Sequence, residues 1–207
     1  MPLFAIPVFK TNLGNLDPIT RAWLMNLEFL PQRTGHDGTD SDLELDQQGM
    51  HILDKPQLKS LKSQIKKTID FFVYEVLSVD DHVDFEIQTS WVNHVDAQNS
   101  VPKHGHVNSM ISGVYYIEVD QDSAPLIFEK NYTYTNLFHK TILPTFKEKN
   151  QFNTDKMVMQ PVIGDVYLFP SHLEHSVPGG HSGNRVSLAF NCFAKGTFGF
   201  GTDNLKI

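Results

Sequence analysis

Val83-Asp84-Phe85-Glu86-Ile87-Gln88 alternates apolar and polar residues one for one. A period of two puts Val83, Phe85 and Ile87 on one face of an extended chain and the polar residues on the other, the pattern of a half-buried strand. Trp91 and Val92 extend it. Downstream, further segments of the same kind recur at roughly 8–12 residue spacing. Met110 to Val119 is rich in β-branched and aromatic residues. Pro125 to Glu129, Val158 to Ile163, Val166 to Phe169, Glu174 to Val177 and Arg185 to Phe193 follow, with Gly164-Asp165 and Gly179-Gly180 as turns. A run of short strands without alternating helices excludes a doubly wound parallel sheet and predicts a mainly β fold, a sandwich or jelly-roll barrel.

Upstream the period changes. Phe4, Ile6, Val8 and Phe9 read as an extended segment, with Pro7 favouring an edge. Asp17-Pro18 is a helix start: Asp caps and Pro suits the first helical position. Trp23, Leu24, Leu27 and Leu30 recur at helical spacing, with Pro31 as the stop. Residues 32–50 are polar and read as a surface loop. Asp54-Lys55-Pro56 opens a second helix whose apolar side is Leu58, Leu61, Ile65, Ile69 and Phe72; Lys59, Lys62, Lys66 and Lys67 form a solvated face. Residues 135–150 read as a loop or short helix broken at Pro144. Neither a linker nor a repeat divides the chain, so 1–207 is expected to be a single domain, with a helical part over about 15–80 packed against a barrel core over about 81–195.

Composition narrows the function. The 207 residues carry 17 Lys plus Arg against 24 Asp plus Glu, a formal charge of -7, and the longest basic run is Lys66-Lys67. That disfavours a nucleic-acid partner. The single cysteine, Cys192, excludes an intrachain disulfide or a cysteine-based metal cluster, and is expected as a small buried strand residue. No run of 18 apolar residues predicts a membrane span. Met1-Pro2-Leu3-Phe4-Ala5 lacks the features of a secretory signal, and the expected location is cytoplasmic.

Three of the ten histidines stand out. His104 and His106 fall on one side of an extended Lys103-His104-Gly105-His106-Val107-Asn108. His175 lies about seventy residues later at another strand edge, and a β-sandwich brings such ends together. Neutral imidazoles suit Fe, Zn, Cu or Ni without separating them. Arg185 interrupts the start of an apolar strand, and Ser187 points the same way. An inward Arg calls for an anion, and a planar carboxylate steadied by a hydroxyl would satisfy it; the alternative is an ion pair with Asp165 or Glu174. Tyr115 and Tyr116 face opposite ways in a regular strand, so one of them reaches the cavity with its hydroxyl and the other is core or sheet surface. Asn108 either orients a ligand or forms a turn. His172 and His181 sit in or beside turns and are read as surface residues.

These stretches together resemble the iron(II)- and 2-oxoglutarate-dependent oxygenases, in particular a small group with an HxH…H…RxS pattern. The resemblance runs from about Trp91 to Phe193, and more weakly to Phe4-Ala5-Ile6-Pro7-Val8-Phe9. It is carried by His104-Gly105-His106-Val107-Asn108-Ser109, Ser112-Gly113-Val114-Tyr115-Tyr116, Gly164-Asp165-Val166-Tyr167-Leu168-Phe169-Pro170-Ser171, His175 and Arg185-Val186-Ser187. It implies a double-stranded β-helix, the cupin-like jelly roll. It also implies a dioxygenase that takes Fe(II), 2-oxoglutarate and O₂, hydroxylates a substrate and releases succinate and CO₂. His104 and His175 match metal ligands, Arg185 and Ser187 the pair that holds the far carboxylate of 2-oxoglutarate, and Tyr115 and Asn108 join the cosubstrate contacts. His106 stands where the wider family has an acidic ligand, so two protein ligands or three histidines are both admitted. No catalytic residue is expected beyond the metal centre. Loops 93–103, 130–155 and 176–184, with Asn131, Tyr132, Tyr134, Lys140 and Lys147, are expected to face a substrate that is a small molecule, a peptide or a nucleotide. A homodimer is allowed for. The competing readings are a cupin-like metal enzyme that does not use 2-oxoglutarate, and a non-enzymatic β-sandwich binding module.

Overall fold

A computed structural model of the chain describes residues 5–33, 40–46, 50–96, 99–130, 145–199, 203 and 205–206. Phe4, most of the 135–150 segment, and Asn131, Tyr132, Tyr134 and Lys140 lie outside the described residues.

The expected strands form as two antiparallel sheets. The strands are β1 (Phe9–Asn12), β2 (Phe29–Arg33), β3 (Asp40–Asp46), β4 (Val83–Val95), β5 (Val101–His104), β6 (Ile111–Val119), β7 (Leu126–Glu129), β8 (Lys156–Met159), β9 (Asp165–Pro170), β10 (His175–Val177), β11 (Arg185–Phe198) and β12 (Leu205–Lys206). The larger sheet runs β1-β9-β6-β11-β4-β3-β2 with β12 on β11, and the smaller runs β5-β10-β7-β8. No hydrogen-bonded strand pair joins them among the described residues, so the expected closed barrel is instead a pair of facing sheets. With both sheets kept separate, each retains its own edge strands and only side chains bridge the gap.

Two helices cover the outer face of the larger sheet. In α1 (Pro18–Met25) the Asp17 side chain accepts from the Ile19 and Thr20 amides at 3.1 and 3.0 Å, the cap expected from Asp-Pro. α2 (Lys59–Asp70) follows two short 3₁₀ turns and runs on into a π-helical segment over Phe71–Val76. Its buried Leu61, Ile65 and Ile69 join Phe72 against Val92, Tyr115, Leu168, Leu188 and Phe190 of the sheet. Lys66 is paired with Asp70 at 2.5 Å and with Asp84 at 3.0 Å, which ties the lysine face to β4. Cys192 is buried in this core. Gly113 on β6 is where the core is tightest: a Cβ there would lie 2.3 Å from Phe190 Cζ. Among the described residues no helix is long and apolar enough to cross a membrane.

Three expectations fail locally. α1 stops at Met25, and Leu30 and Pro31 belong to β2. The polar stretch after it contains β3, paired with β2 and, at Glu44 and Leu45, with His94 and Asn93 of β4. Acidic residues have low strand propensity, yet β4 offers an open ladder, and its hydrogen bonds override that preference. The third is β5, in a segment read as loop: pairing with β10 makes Val101–His104 a strand.

Candidate metal centre

The inner faces of the two sheets are lined by β6, β9 and β11 on one side and β5, β10 and β7 on the other. Val114, Tyr116, Tyr167 and Phe169 of the larger sheet pack against Leu126 and Phe128 of the smaller. At the edge of this layer β5 and β10 pair in the register His104 opposite His175, so the antiparallel ladder itself brings the two imidazoles together. Their ring centroids are 4.4 Å apart. His106 lies just beyond β5, with its ring 5.0 Å from His104 and 5.1 Å from His175. One ligating atom from each of the three lies within 4.8 Å of the others, and no carboxylate belongs to the cluster among the described residues.

Two of the rings are held as metal ligands require. His104 Nδ1 is 2.8 Å from the Pro102 carbonyl and His175 Nδ1 is 2.9 Å from the Leu173 carbonyl. A carbonyl only accepts, so each Nδ1 carries the proton and each Nε2 presents its lone pair to the cluster. His175 is buried and packs edge-on against Phe169 at 4.9 Å; Trp91 flanks His106 at 6.0 Å. Burial, with His104 nearby, holds His106 down to about 4 and His175 to about 3 in the metal-free protein. Both are therefore neutral near pH 7, the form that binds a metal. Three converging lone pairs in a partly dry setting fit a divalent transition ion.

Arg185 begins β11 on the same inner face. It is 4% exposed. One guanidinium NH₂ donates to the Tyr116 hydroxyl at 2.8 Å, and the group lies 4.9 Å from the centre of that ring. Its Nε has no hydrogen-bond partner. The alternative ion pairs are absent: Asp165 pairs with Lys10 at 2.8 Å and Glu174 with Lys103 at 3.3 Å, and no carboxylate is within ion-pair distance of Arg185 among the described residues. Asn93 Oδ1, on the neighbouring β4, is also buried without a partner. Ser187 is 1% exposed and pairs with Asn93 across β11 and β4. A buried guanidinium with an unpaired Nε and no carboxylate partner among the described residues fits a polar, anionic ligand between the sheets.

Two predicted contacts are not brought together with this set. The Tyr115 hydroxyl donates to the Gly14 carbonyl at 2.9 Å, and its ring lies in the core under the helices. The two tyrosines do face opposite ways, and Tyr116 rather than Tyr115 is the inward residue. Asn108 is exposed with φ +55°, a turn position rather than an inward one. His172 is exposed and His181 half-buried. Of the expected substrate loops, 93–95 and 101–103 are strand, and Lys147 is exposed. Trp91 and Phe169 were legible as strand residues but carried no signal of their contact with the histidines.

Comparison with known proteins agrees with this geometry. The family described as "Putative 2OG-Fe(II) oxygenase" matches residues 89–191. No curated protein matches the chain. Among solved structures, an oxidoreductase of the 2OG-Fe(II) oxygenase family from Burkholderia pseudomallei is similar with TM-score 0.55 and 12% identity, covering 83% of this chain and 75% of that one. A prolyl-4-hydroxylase from Pseudomonas putida gives TM-score 0.52 and 15% identity over 90% of this chain and 92% of that one. The non-heme alpha ketoglutarate dependent epimerase SnoN from nogalamycin biosynthesis gives 0.56 and 12%, over 97% and 88%. At such identities the likeness is one of fold; the sequence match and the histidine cluster supply the rest. The facing sheets that set His104, His106 and His175 around one point are thus a 2OG-Fe(II) oxygenase family domain, with a three-histidine cluster at its metal-binding position.

Proposed function

We propose that the protein is an Fe(II)- and 2-oxoglutarate-dependent dioxygenase that hydroxylates an organic substrate. The observation that carries the cosubstrate is Arg185, a buried guanidinium on the inner face with an unpaired Nε and no carboxylate partner among the described residues. Its planar fork would take the far carboxylate of 2-oxoglutarate. The Tyr116 hydroxyl, held above its ordinary value by burial, stays protonated; it accepts from Arg185 and has its own proton to donate to the same carboxylate. Ser187 sits on the same face as a further donor. His104, His106 and His175 would hold the iron. When bound, Fe(II) and 2-oxoglutarate supply the oxidation, in which substrate C–H, O₂ and 2-oxoglutarate become substrate C–OH, succinate and CO₂. The chain's own part is to hold both and to keep water away: Phe128 and Phe169 pack on His175, and Trp91 lies beside His106. The substrate would be a small molecule, a peptide or a nucleotide, entering from the loop side of the cluster.

The test is anaerobic reconstitution with Fe(II) and 2-oxoglutarate, watching for the metal-to-ligand charge-transfer band in the visible. Its absence from folded, iron-loaded protein overturns the cosubstrate assignment. The three-histidine set, with no carboxylate among the described residues, also favours a second reading, a metal dioxygenase that uses no 2-oxoglutarate. Under that reading O₂ is consumed without succinate release.

A further inference from the structure

His106 is the one histidine of the cluster that no strand pair positions. His104 and His175 are locked by the β5–β10 ladder, whereas His106 sits in the connection between β5 and β6. Among the described residues, neither ring nitrogen of His106 has a hydrogen bond to a backbone carbonyl of the kind that orients the other two.

What holds that connection is Ser171, immediately after β9. Its carbonyl accepts the His106 amide at 2.8 Å, and its own amide donates to the Met110 carbonyl at 3.1 Å, so one residue clamps both ends of segment 106–110. The approach is close: a Cβ on Gly105 would lie 3.3 Å from the Ser171 carbonyl oxygen. The Ser171 side chain anchors the clamp. Its Oγ is 1% exposed as a residue, 2.7 Å from Ser109 Oγ and 2.9 Å from Ser112 Oγ; Ser112 Oγ is in turn 2.7 Å from Asn191 Oδ1. Each hydroxyl has one proton, and an amide oxygen only accepts. Ser112 Oγ is thus the donor, with Ser171 Oγ and Asn191 Oδ1 as its two acceptors, and Ser171 and Ser109 share the remaining contact. Three strands and the histidine loop are linked through a buried polar chain, which has few alternative arrangements.

We propose that Ser171 is a positioning residue that sets His106 as the third metal ligand. This rests on the reading that the three histidines hold one metal. A hydrogen-bonded support behind a metal ligand is worth about 10–100-fold in affinity. Ser171→Ala is a mild change for the fold, because Ser112 still has Asn191 to donate to and Ser109 still has the Ile111 and Cys192 carbonyls, each at 3.2 Å, as alternative acceptors for its one proton.

The experiment is anaerobic titration of Co(II) into wild type, Ser171→Ala, His106→Ala and the double variant, following the Co(II) d–d absorption as well as the affinity. Ser171→Ala should weaken Co(II) about 10-fold and change the d–d spectrum toward that of His106→Ala. The double variant should match His106→Ala alone, since a support has nothing to act on once the ligand is gone. Ser171→Thr, which restores the hydroxyl, should recover affinity. Wild-type affinity and spectrum in Ser171→Ala, or losses that add fully in the double variant, overturn the proposal. Failure of the metal reading is distinct: there His104→Ala and His175→Ala bind Co(II) as the wild type does.

Discussion

Replacing Arg185 by Met should stabilise the metal-free protein and at the same time abolish its response to 2-oxoglutarate. An unpaired guanidinium at 4% exposure carries a desolvation cost of several kcal/mol. Against this stands its charged hydrogen bond to the Tyr116 hydroxyl, worth about 1.5–3 kcal/mol. Met fills a similar volume without a charge, so the net gain is about 1–2 kcal/mol. For a domain of this size that raises Tm by about 2–8 °C. In the wild type, 2-oxoglutarate at about 100 times its Kd should add about 2.7 kcal/mol by mass action, a further rise of about 5–11 °C. The Arg185→Met protein should show no such rise. The assay is a thermal melt under nitrogen with Mn(II), with and without 2-oxoglutarate. A variant that melts well below wild type shows that Arg185 is a satisfied structural group. A variant that keeps the full ligand-dependent rise shows that the anion binds elsewhere. Either result refutes the reasoning.

Tyr116→Phe removes the hydroxyl beside Arg185 and should raise the Kd for 2-oxoglutarate about 5–10-fold while leaving Mn(II) affinity unchanged, by equilibrium dialysis. Tyr115→Phe should leave both constants as they are, because its hydroxyl serves the Gly14 carbonyl. The metal-free protein should lose stability in acid. His106 at about 4 and His175 at about 3 stay neutral when folded and take up protons when unfolded below about 6.5. Stability is then flat above that value and falls as pH drops toward 4, by about 2 kcal/mol per histidine at pH 5; urea unfolding across this range reads it, and a pH-independent midpoint contradicts it. Gly113→Ala should lower stability by about 1–3 kcal/mol, because the new methyl meets the Phe190 ring 2.3 Å away in a core with no room. Phe190→Leu in the same chain should recover part of the loss in thermal melts.

The local sequence determined the strands because their information is local. Alternation over 83–88, β-branched residues in Ile111–Val119 and the Asp17-Pro18 cap are each dictated by neighbours a few positions away. The histidines and Arg185 were legible for a related reason: polar residues in apolar surroundings announce a partner wherever it comes from. Tertiary structure decided everything that depended on a distant partner. β3 exists because β4 has an edge to offer Glu44 and Leu45, and β5 because β10 lies beside it. Tyr115 and Tyr116 are adjacent and nearly equivalent in pattern, so alternation separates their faces without saying which face is inner. The helices, by covering the Tyr115 side, make Tyr116 the residue beside Arg185. The register that sets His104 opposite His175 follows the same logic. Each histidine sits in a short segment whose own residues do not specify pairing, and only the ladder between segments seventy residues apart places two lone pairs at one point.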